Sequence, residues 1–245
     1  MSRPGPDAPE DDETDAGPDL EIPSTAPLAL QLAVRVEKTA PPTADQAAVS
    51  AALATIALLD DERSGPDGPW HDAVARWNGA RIRKIVRRGR GADWRRAQEV
   101  DGVTVTVDGV STRAFVPGPI DRVPRPVARL QIQATPLQES PTVSSIEARP
   151  GLLIAVTPEV TMTWGKRAAQ CAHAAHRAWQ QASPDRQAAW TAAGRPVQIV
   201  HPDAARWAGL ADRADVEIRD GGFTEIPAGT RTTVARWIDP AVDPT

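Results

Sequence analysis

Leu28-Ala-Leu-Gln-Leu-Ala-Val-Arg-Val36 is an apolar run of strand length, and Gly151-Leu-Leu-Ile-Ala-Val156 repeats it 120 or so residues later. Each run is followed by an alanine-rich helical stretch, Ala44 to Leu59 in one case and Lys166 to Trp179 in the other. Further on, Val216 and Ile218 alternate with polar residues as in a half-buried strand, and Asp220-Gly221-Gly222 breaks the run. Pro227-Ala228-Gly229 forms a second turn, and the β-branched run Thr232 to Trp237 reads as a closing strand. A loop at Gln181 to Arg186 separates two helices. The order strand, helix, helix, strand, then turn and strand predicts an α/β fold with a mixed sheet covered by helices.

The same order occurs twice. Trp77 to Val86 matches Trp190 to Val200, Ala92-Asp-Trp94 matches Ala205-Arg-Trp207, Val103 to Gly109 matches Val216 to Gly221, and Val127-Ala-Arg129 echoes Val234-Ala-Arg236. These matches divide the chain into an acidic, proline-rich tail (1–25), a first module (26–137), a linker (138–150), a second module (151–239) and a short tail (240–245). The linker contains Ser140, Pro141, Ser144 and Ser145 with little periodicity.

A chain of 245 residues has room for two such cores. The absence of an 18-residue apolar run, together with an acidic N-terminus, predicts no membrane span and no secretory signal, hence a cytoplasmic protein. One cysteine and four scattered histidines give no metal-ligand spacing, so neither a metal nor another cofactor is expected. The net charge of −4 is unevenly spread. Residues 1 to 22 hold eight carboxylates and one arginine, which leaves the remainder at +3. That leader is too polar to bury surface of its own and reads as disordered. Between Arg76 and Arg96 lie nine bases and one acid, bracketed by Trp77 and Trp94. Such a tract, with Arg87 and Arg88 at its centre, either grips a nucleic-acid backbone or is a solvated surface with snorkelling arginines.

The candidate chemistry lies in the second module. A helix starting near Gly165 puts Lys166, Gln170 and His173 within roughly 60° of one another on one face. Ala168, Cys171, Ala172, Ala175, Ala178 and Trp179 form the packing side. Lys166 is unfavourable in the first helical turn on macrodipole grounds, yet it suits an anionic ligand or a developing oxyanion there. The alternatives are a merely solvated polar face and, for His173, a buried imidazole bonded to backbone. Asp220 either caps its own turn or serves chemistry beside Thr224, Thr230 and Thr232 at the strand ends. No serine sits on a glycine elbow, so direct attack by water is favoured over an acyl-enzyme.

The two segments Met162-Thr-Trp-Gly-Lys-Arg-Ala-Ala-Gln-Cys-Ala-His-Ala174 and Asp220-Gly-Gly-Phe-Thr-Glu-Ile-Pro-Ala-Gly-Thr-Arg-Thr232 together resemble the motifs of the second, archaeal and eukaryotic type of peptidyl-tRNA hydrolase. The resemblance covers about residues 151 to 238. It departs at Thr157-Pro158-Glu159, where the family usually has Arg-x-Asp, at Glu225 for a usual glutamine, and at Trp164 for a small or basic residue. It implies two similar modules, each a mixed four-stranded sheet with helices on both faces, of which the first lacks the motifs and is inactive. It further implies hydrolysis of the ester linking peptide to tRNA, in a monomer with an internal pseudo-dimer or in a homodimer. Asp220 would position or deprotonate water, Lys166 would hold charge on the oxyanion or terminal phosphate, and His173 would orient or deliver a proton. Thr224 and Thr232 would donate hydroxyls, while Trp164, Gly165, Gln170, Gly222 and Thr230 would contact substrate; the basic tract of the first module separately offers Arg87 and Arg88 as substrate contacts. The competing expectation is a non-catalytic tRNA-binding or protein-interaction module that retains the fold.

Overall fold

Strand β1 (Leu28–Arg35) and helix α1 (Ala44–Leu59) begin the first module. The capping box of Thr43 and Gln46 starts α1 by satisfying two orphan N–H groups reciprocally. There follow α2 (His71–Asn78), β2 (Arg83–Gly89), α3 (Gly91–Ala97), β3 (Gly102–Val107), β4 (Val110–Phe115), the short β5 (Gly118–Pro119) and α4 (Arg125–Ala128). The second module comprises β6 (Gly151–Val156), α5 (Trp164–Gln181), α6 (Pro184–Ala192), β7 (Val197–Val200), α7 (Ala204–Asp212), β8 (Val216–Arg219) and β9 (Arg231–Ile238). The computed structural model describes residues 25–132, 135–222 and 226–239. The acidic leader and the last six residues therefore lie outside the described part.

The two modules share one topology. The sheets run β2-β1-β4-β3 and β7-β6-β9-β8, with β5 adding a short pairing to β1. In each, the first pair is parallel and the other two are antiparallel. Helices cover both faces because inward positions alternate along the strands. Leu152, Ile154 and Val156 face a core shared with α1 and α5, while Leu153 and Ala155 pack with Trp207 and Leu210 of α7. In the first module Leu30, Leu32 and Val34 face that same shared core, and Ala33 meets Trp94 of α3 and Val127 of α4.

Two details tie the halves together at residue level. Trp77 Nε1 donates to the carbonyl of Arg83 at 3.0 Å, and Trp190 Nε1 donates to Pro196 at 2.9 Å, six residues on in both cases. Thr43 and Thr163 cap α1 and α5, so equal steps along these helices pair Ser50 with Gln170 and Ile56 with His176. Helices α1 and α5 pack on each other through alanines that are fully buried, among them Ala48, Ala51, Ala172 and Ala175. Their small volumes allow close approach, and one core spans both modules.

Three sequence expectations are corrected. Val127-Ala-Arg129 lies in and beside α4, not in a final strand, because strand propensity at a valine yields to the helix begun by Pro124 and Arg125-Pro126; the first module's counterpart of β9 is β4. The loop between α5 and α6 is only Ala182-Ser183, since the Ser183 side chain caps α6 and Pro184 suits its first turn. Each module also has a third helix, α3 or α7, between its second and third strands. The segment 138–150 is pinned by bridges from Gln138 to Thr43 and from Val143 to Pro202.

Candidate functional site

Thr163 caps α5 through a bond from Lys166 N–H to its hydroxyl at 3.3 Å, which sets Lys166 in the first turn. From there Lys166 and Gln170, one turn apart, reach the loop that leaves β8. Asp220 begins that loop. Its own N–H donates to Thr230 O at 2.8 Å and its carbonyl accepts from Gly229 N–H at 2.8 Å, which closes the loop on itself. Gly222 has φ +75°, and a Cβ there would stand 2.6 Å from the Ala228 side chain, so both conformation and space demand glycine.

The side chains converge. Asp220 Oδ2 pairs with the Lys166 ammonium and accepts from Gln170 Nε2 at 2.7 Å, while Oδ1 accepts from Gly222 N–H at 2.8 Å. Thr232 Oγ1 donates to Gln170 Oε1 at 3.0 Å, with Ile218 O also within reach at 3.2 Å. The Asp220 side chain is 3% exposed, whereas the lysine side chain retains 14% of its exposure, so solvent meets the pair from the lysine side.

A backbone irregularity makes this possible. The register of β8 with β9 slips between Ile218 and Arg219, so that Thr233 faces Ile218, Arg231 faces Arg219 and Thr232 is the extra residue. In a regular strand Thr232 and Thr233 would point to opposite faces. Here both are fully buried against α5, Thr232 on the Gln170 side chain and Thr233 donating to the Gln170 carbonyl at 3.3 Å.

The first module has the frame without the charges. Ser50 and Thr112 hydroxyls meet at 2.5 Å, 62 residues apart like Gln170 and Thr232. By helix position and strand register, Gln46 and Val107 stand where the second module has Lys166 and Asp220. A hollow of about 130 Å³ lies there, lined by Asp45, Gln46, Val49, Val107, Asp108 and Ile199. The β3–β4 turn is the two-residue Asp108-Gly109, both with positive φ, in place of the long loop after β8.

Other expected residues are placed differently. Thr230 donates its hydroxyl to Pro227 O at 2.8 Å, so it closes its own turn. Thr224 and Glu225 lie outside the described residues. Trp164 is a core residue at 4% exposure whose Nε1 donates to Thr135 O at 3.2 Å, not a surface contact for substrate. Gly165 has the Val86 and Ile132 carbonyls of the first module beside it. Thr157, where the resembled motif has arginine, is buried, and its hydroxyl accepts from Glu159 N–H at 3.2 Å.

The basic tract is only partly a surface. Arg87 is buried, donating to Gln31 Oε1 at 2.8 Å and to Leu130 O at 3.1 Å, so it braces the sheet face under α4. Arg88 is half-buried and donates to Thr135 Oγ1 at 3.2 Å. Trp77 and Trp94 are buried, at 0% and 7% exposure, and cannot stack on bases. Arg76, Arg81, Arg90, Arg95 and Arg96 remain exposed.

Sequence reasoning missed a polar cluster on the other side of α5. Lys84 of β2 enters the shared core and its Nζ lies 3.0 Å from His176 Nδ1. His176 stacks on Trp77 with ring centroids 5.0 Å apart, and the lysine nitrogen sits 4.8 Å from the Trp77 ring centroid. His173, a turn earlier and partly buried, has the basic side chains of Lys84, His176, Lys166 and Arg177 for neighbours. Burial foremost, then Lys84 and His176, hold its imidazole well below the usual range. Burial followed by Lys84 and Arg177 pushes His176 down to about 2. Burial also pushes the Cys171 thiol up to about 12, which removes it as a nucleophile.

The His176 shift has a definite sign. An unfolded imidazole takes up a proton below about pH 6.5 and the folded one does not, so stability present at neutral pH is lost as pH falls through 6.5. The expected slope is about 1.4 kcal/mol per pH unit from this residue. Urea unfolding at pH 7, 6 and 5 measures it, and His176→Ile is expected to flatten the dependence.

Among the described residues no helix is long and apolar enough to cross a membrane, and no cluster of three metal-ligating side chains occurs. No protein-family model matches the chain, and no curated protein matches it.

Proposed function

We propose that the second module hydrolyses the ester of peptidyl-tRNA by direct attack of water, with the first module as a non-catalytic companion. The observation that carries this reading is the convergence of Lys166, Gln170, Asp220 and Thr232 from a helix, a loop and a bulged strand. A stability role alone does not account for it: the first module solves the same packing problem with Ser50, Thr112 and Val107.

Asp220 accepts hydrogen bonds only, so a water replacing part of its present contacts is oriented with a lone pair outward for attack on the ester carbonyl. Lys166, on the solvent side, can move its ammonium from Asp220 towards the oxyanion, and the positive N-terminal end of the α5 dipole adds to the same field. Gln170 keeps Asp220 in place, and Thr232 fixes the Gln170 amide so that its NH₂ points to the carboxylate. Asp220 takes the proton that the attacking water sheds, and the leaving ribose oxygen takes one from solvent water or from the Lys166 ammonium, which recovers it from Asp220. Cys171 and the serines take no part.

Exposed Arg90, Arg95 and Arg96 are among the cations that the first module offers the tRNA backbone. Reversing all three to Glu is expected to weaken tRNA binding at low salt and to flatten its salt dependence, whereas Arg87→Glu is expected to unfold the module. Filter binding across a salt series checks the first, and circular dichroism the second.

The deciding experiment is turnover of labelled peptidyl-tRNA by the purified chain, with free tRNA and peptide as products. No release above the buffer rate at micromolar enzyme would return the protein to the binding-module reading.

A further inference from the structure

The edge strand of each module ends beside the long helix of the other, and the two junctions differ. At the first, His201 after β7 donates from Nε2 to Asp45 Oδ1 at 2.8 Å, in the first turn of α1, and Arg167 of α5 stands 4.0 Å from the same oxygen. Basic groups of the second module are thereby matched by an acid of the first.

The corresponding residues of the second junction follow by counting. Asp45 and Gly165 each stand two residues after a threonine cap, Thr43 or Thr163. His201 and Arg88 each stand five residues after the carbonyl that accepts from Trp190 or Trp77. Strand register agrees, since Lys84 pairs with Leu30 and Val197 with Leu152. Space agrees too: Ile199 lines the hollow beside Asp45, and its counterpart Val86 puts its carbonyl oxygen 3.9 Å from where a Cβ on Gly165 would lie. Arg88 and Gly165 therefore correspond to His201 and Asp45, with the acid missing.

Arg88 is short of partners as a result. It is half-buried, its one side-chain hydrogen bond runs from Nη1 to the Thr135 hydroxyl at 3.2 Å, its Nε is buried without a partner, and among the described residues no carboxylate pairs with it. The neighbouring Arg87 is instead held by Gln31 Oε1 and Leu130 O. The Thr135 carbonyl accepts from Trp164 Nε1 at 3.2 Å, so a single residue links the Arg88 guanidinium to the first residue of α5. A cation withdrawn from water without a counter-ion is costly, and an anion from outside removes that cost. The planar guanidinium fork suits a phosphate in particular.

We propose that Arg88, with the place that an acidic side chain at Gly165 would fill, forms an anion subsite between the modules and takes a phosphate group of the substrate RNA. Lys166, next to Gly165, then holds the ester end of the same chain. In the first module Asp45 occupies the corresponding place from within. The RNA as source of the phosphate rests on the hydrolase reading given above; the anion subsite itself does not.

Two variants of the full-length chain test it against wild type. Arg88→Met removes the cation, and Gly165→Asp copies the acid of the first module. The added Cβ meets only ordinary contacts and an acid suits the first turn of α5, so Gly165→Asp is expected to fold with a thermal midpoint at or above wild type. It keeps the arginine and therefore decides the matter even where Arg88→Met fails to fold. The probes are inorganic phosphate and the dinucleotide cytidylyl-adenosine, followed by NMR of the ¹⁵N-labelled protein. Both are expected to shift the Gly165 amide and the Trp164 indole N–H of wild type, the dinucleotide binding more tightly. Each variant is expected to weaken dinucleotide binding about tenfold to a hundredfold, and to raise KM for peptidyl-tRNA by a like factor. Dinucleotide affinity within about threefold of wild type in Gly165→Asp, or signals that move only elsewhere on the protein, would overturn the subsite. Phosphate binding with no tighter binding of the dinucleotide overturns RNA as the ligand. A wild type that binds the dinucleotide through Arg88 yet releases no peptide leaves the subsite standing and overturns the hydrolase reading alone.

Discussion

Asp220→Asn is expected to lower peptidyl-tRNA turnover about a hundred- to ten-thousand-fold while leaving the fold intact. The amide has the shape of the carboxylate and keeps one carbonyl oxygen, so either Gly222 N–H or the Gln170 amide retains an acceptor. What disappears is the negative charge that holds the Lys166 ammonium and orients water. Asp220→Ala is more damaging to the fold, because the Gln170 amide, a buried group, then loses its acceptor outright, at about 1–3 kcal/mol. Lys166→Ala is expected to match the rate loss of the asparagine variant. Single-turnover rates with saturating enzyme, alongside unfolding curves of each variant, separate lost chemistry from lost structure. Rates within threefold of wild type for either Asp220→Asn or Lys166→Ala would remove the site from the mechanism.

Trp190→Ala is expected to cost about 3–5 kcal/mol in denaturant unfolding. The indole is 5% exposed and holds three parts of the second module together. Its Nε1 bonds the Pro196 carbonyl ahead of β7, its ring tilts against Trp179 at the end of α5 with centroids 5.8 Å apart, and it meets Trp237 of β9 edge-on at 5.2 Å. Truncation opens a cavity among rigid neighbours and leaves the Pro196 carbonyl with only the Leu152 N–H, at 3.0 Å, as donor. Trp190→Phe keeps most of the ring but not the donor, and is expected to lose less. Equal midpoints for Trp190→Ala and wild type would mean that the three-tryptophan cluster is not a determinant of stability.

The strands were legible because each presents its apolar residues in runs or alternation that no other element would bury. Leu152 to Val156 and Val216 with Ile218 are cases in point, and the repeated Trp, Val and Ala-Trp landmarks let the two modules be aligned before any coordinate was known. The mismatch at Val127 arose because three residues carry too little pattern to outweigh a proline at a helix start. Lys166, Gln170, Asp220 and Thr232 were found through motif spacing, and helical geometry brings the first two to one side whatever the rest of the chain does. Trp164, Arg87 and Trp77 were misplaced for a common reason. Polarity and aromaticity suggest a surface, but each finds a backbone or side-chain acceptor inside: Thr135 O, Gln31 Oε1 and Arg83 O.

Periodicity, caps and turn residues are local, and the sequence alone therefore determined the elements, the repeated module order and one lysine-glutamine helix face. Tertiary structure decided what depends on distant segments meeting. The slip of β9 turned Thr232 inward beside Thr233, the join of two modules turned α5 from a surface helix into a core one, and β2 of one half drove Lys84 onto His176 of the other. Side-chain direction and burial at such places follow from long-range registry, in which a shift of one residue reverses a face, and no window of neighbouring residues encodes that.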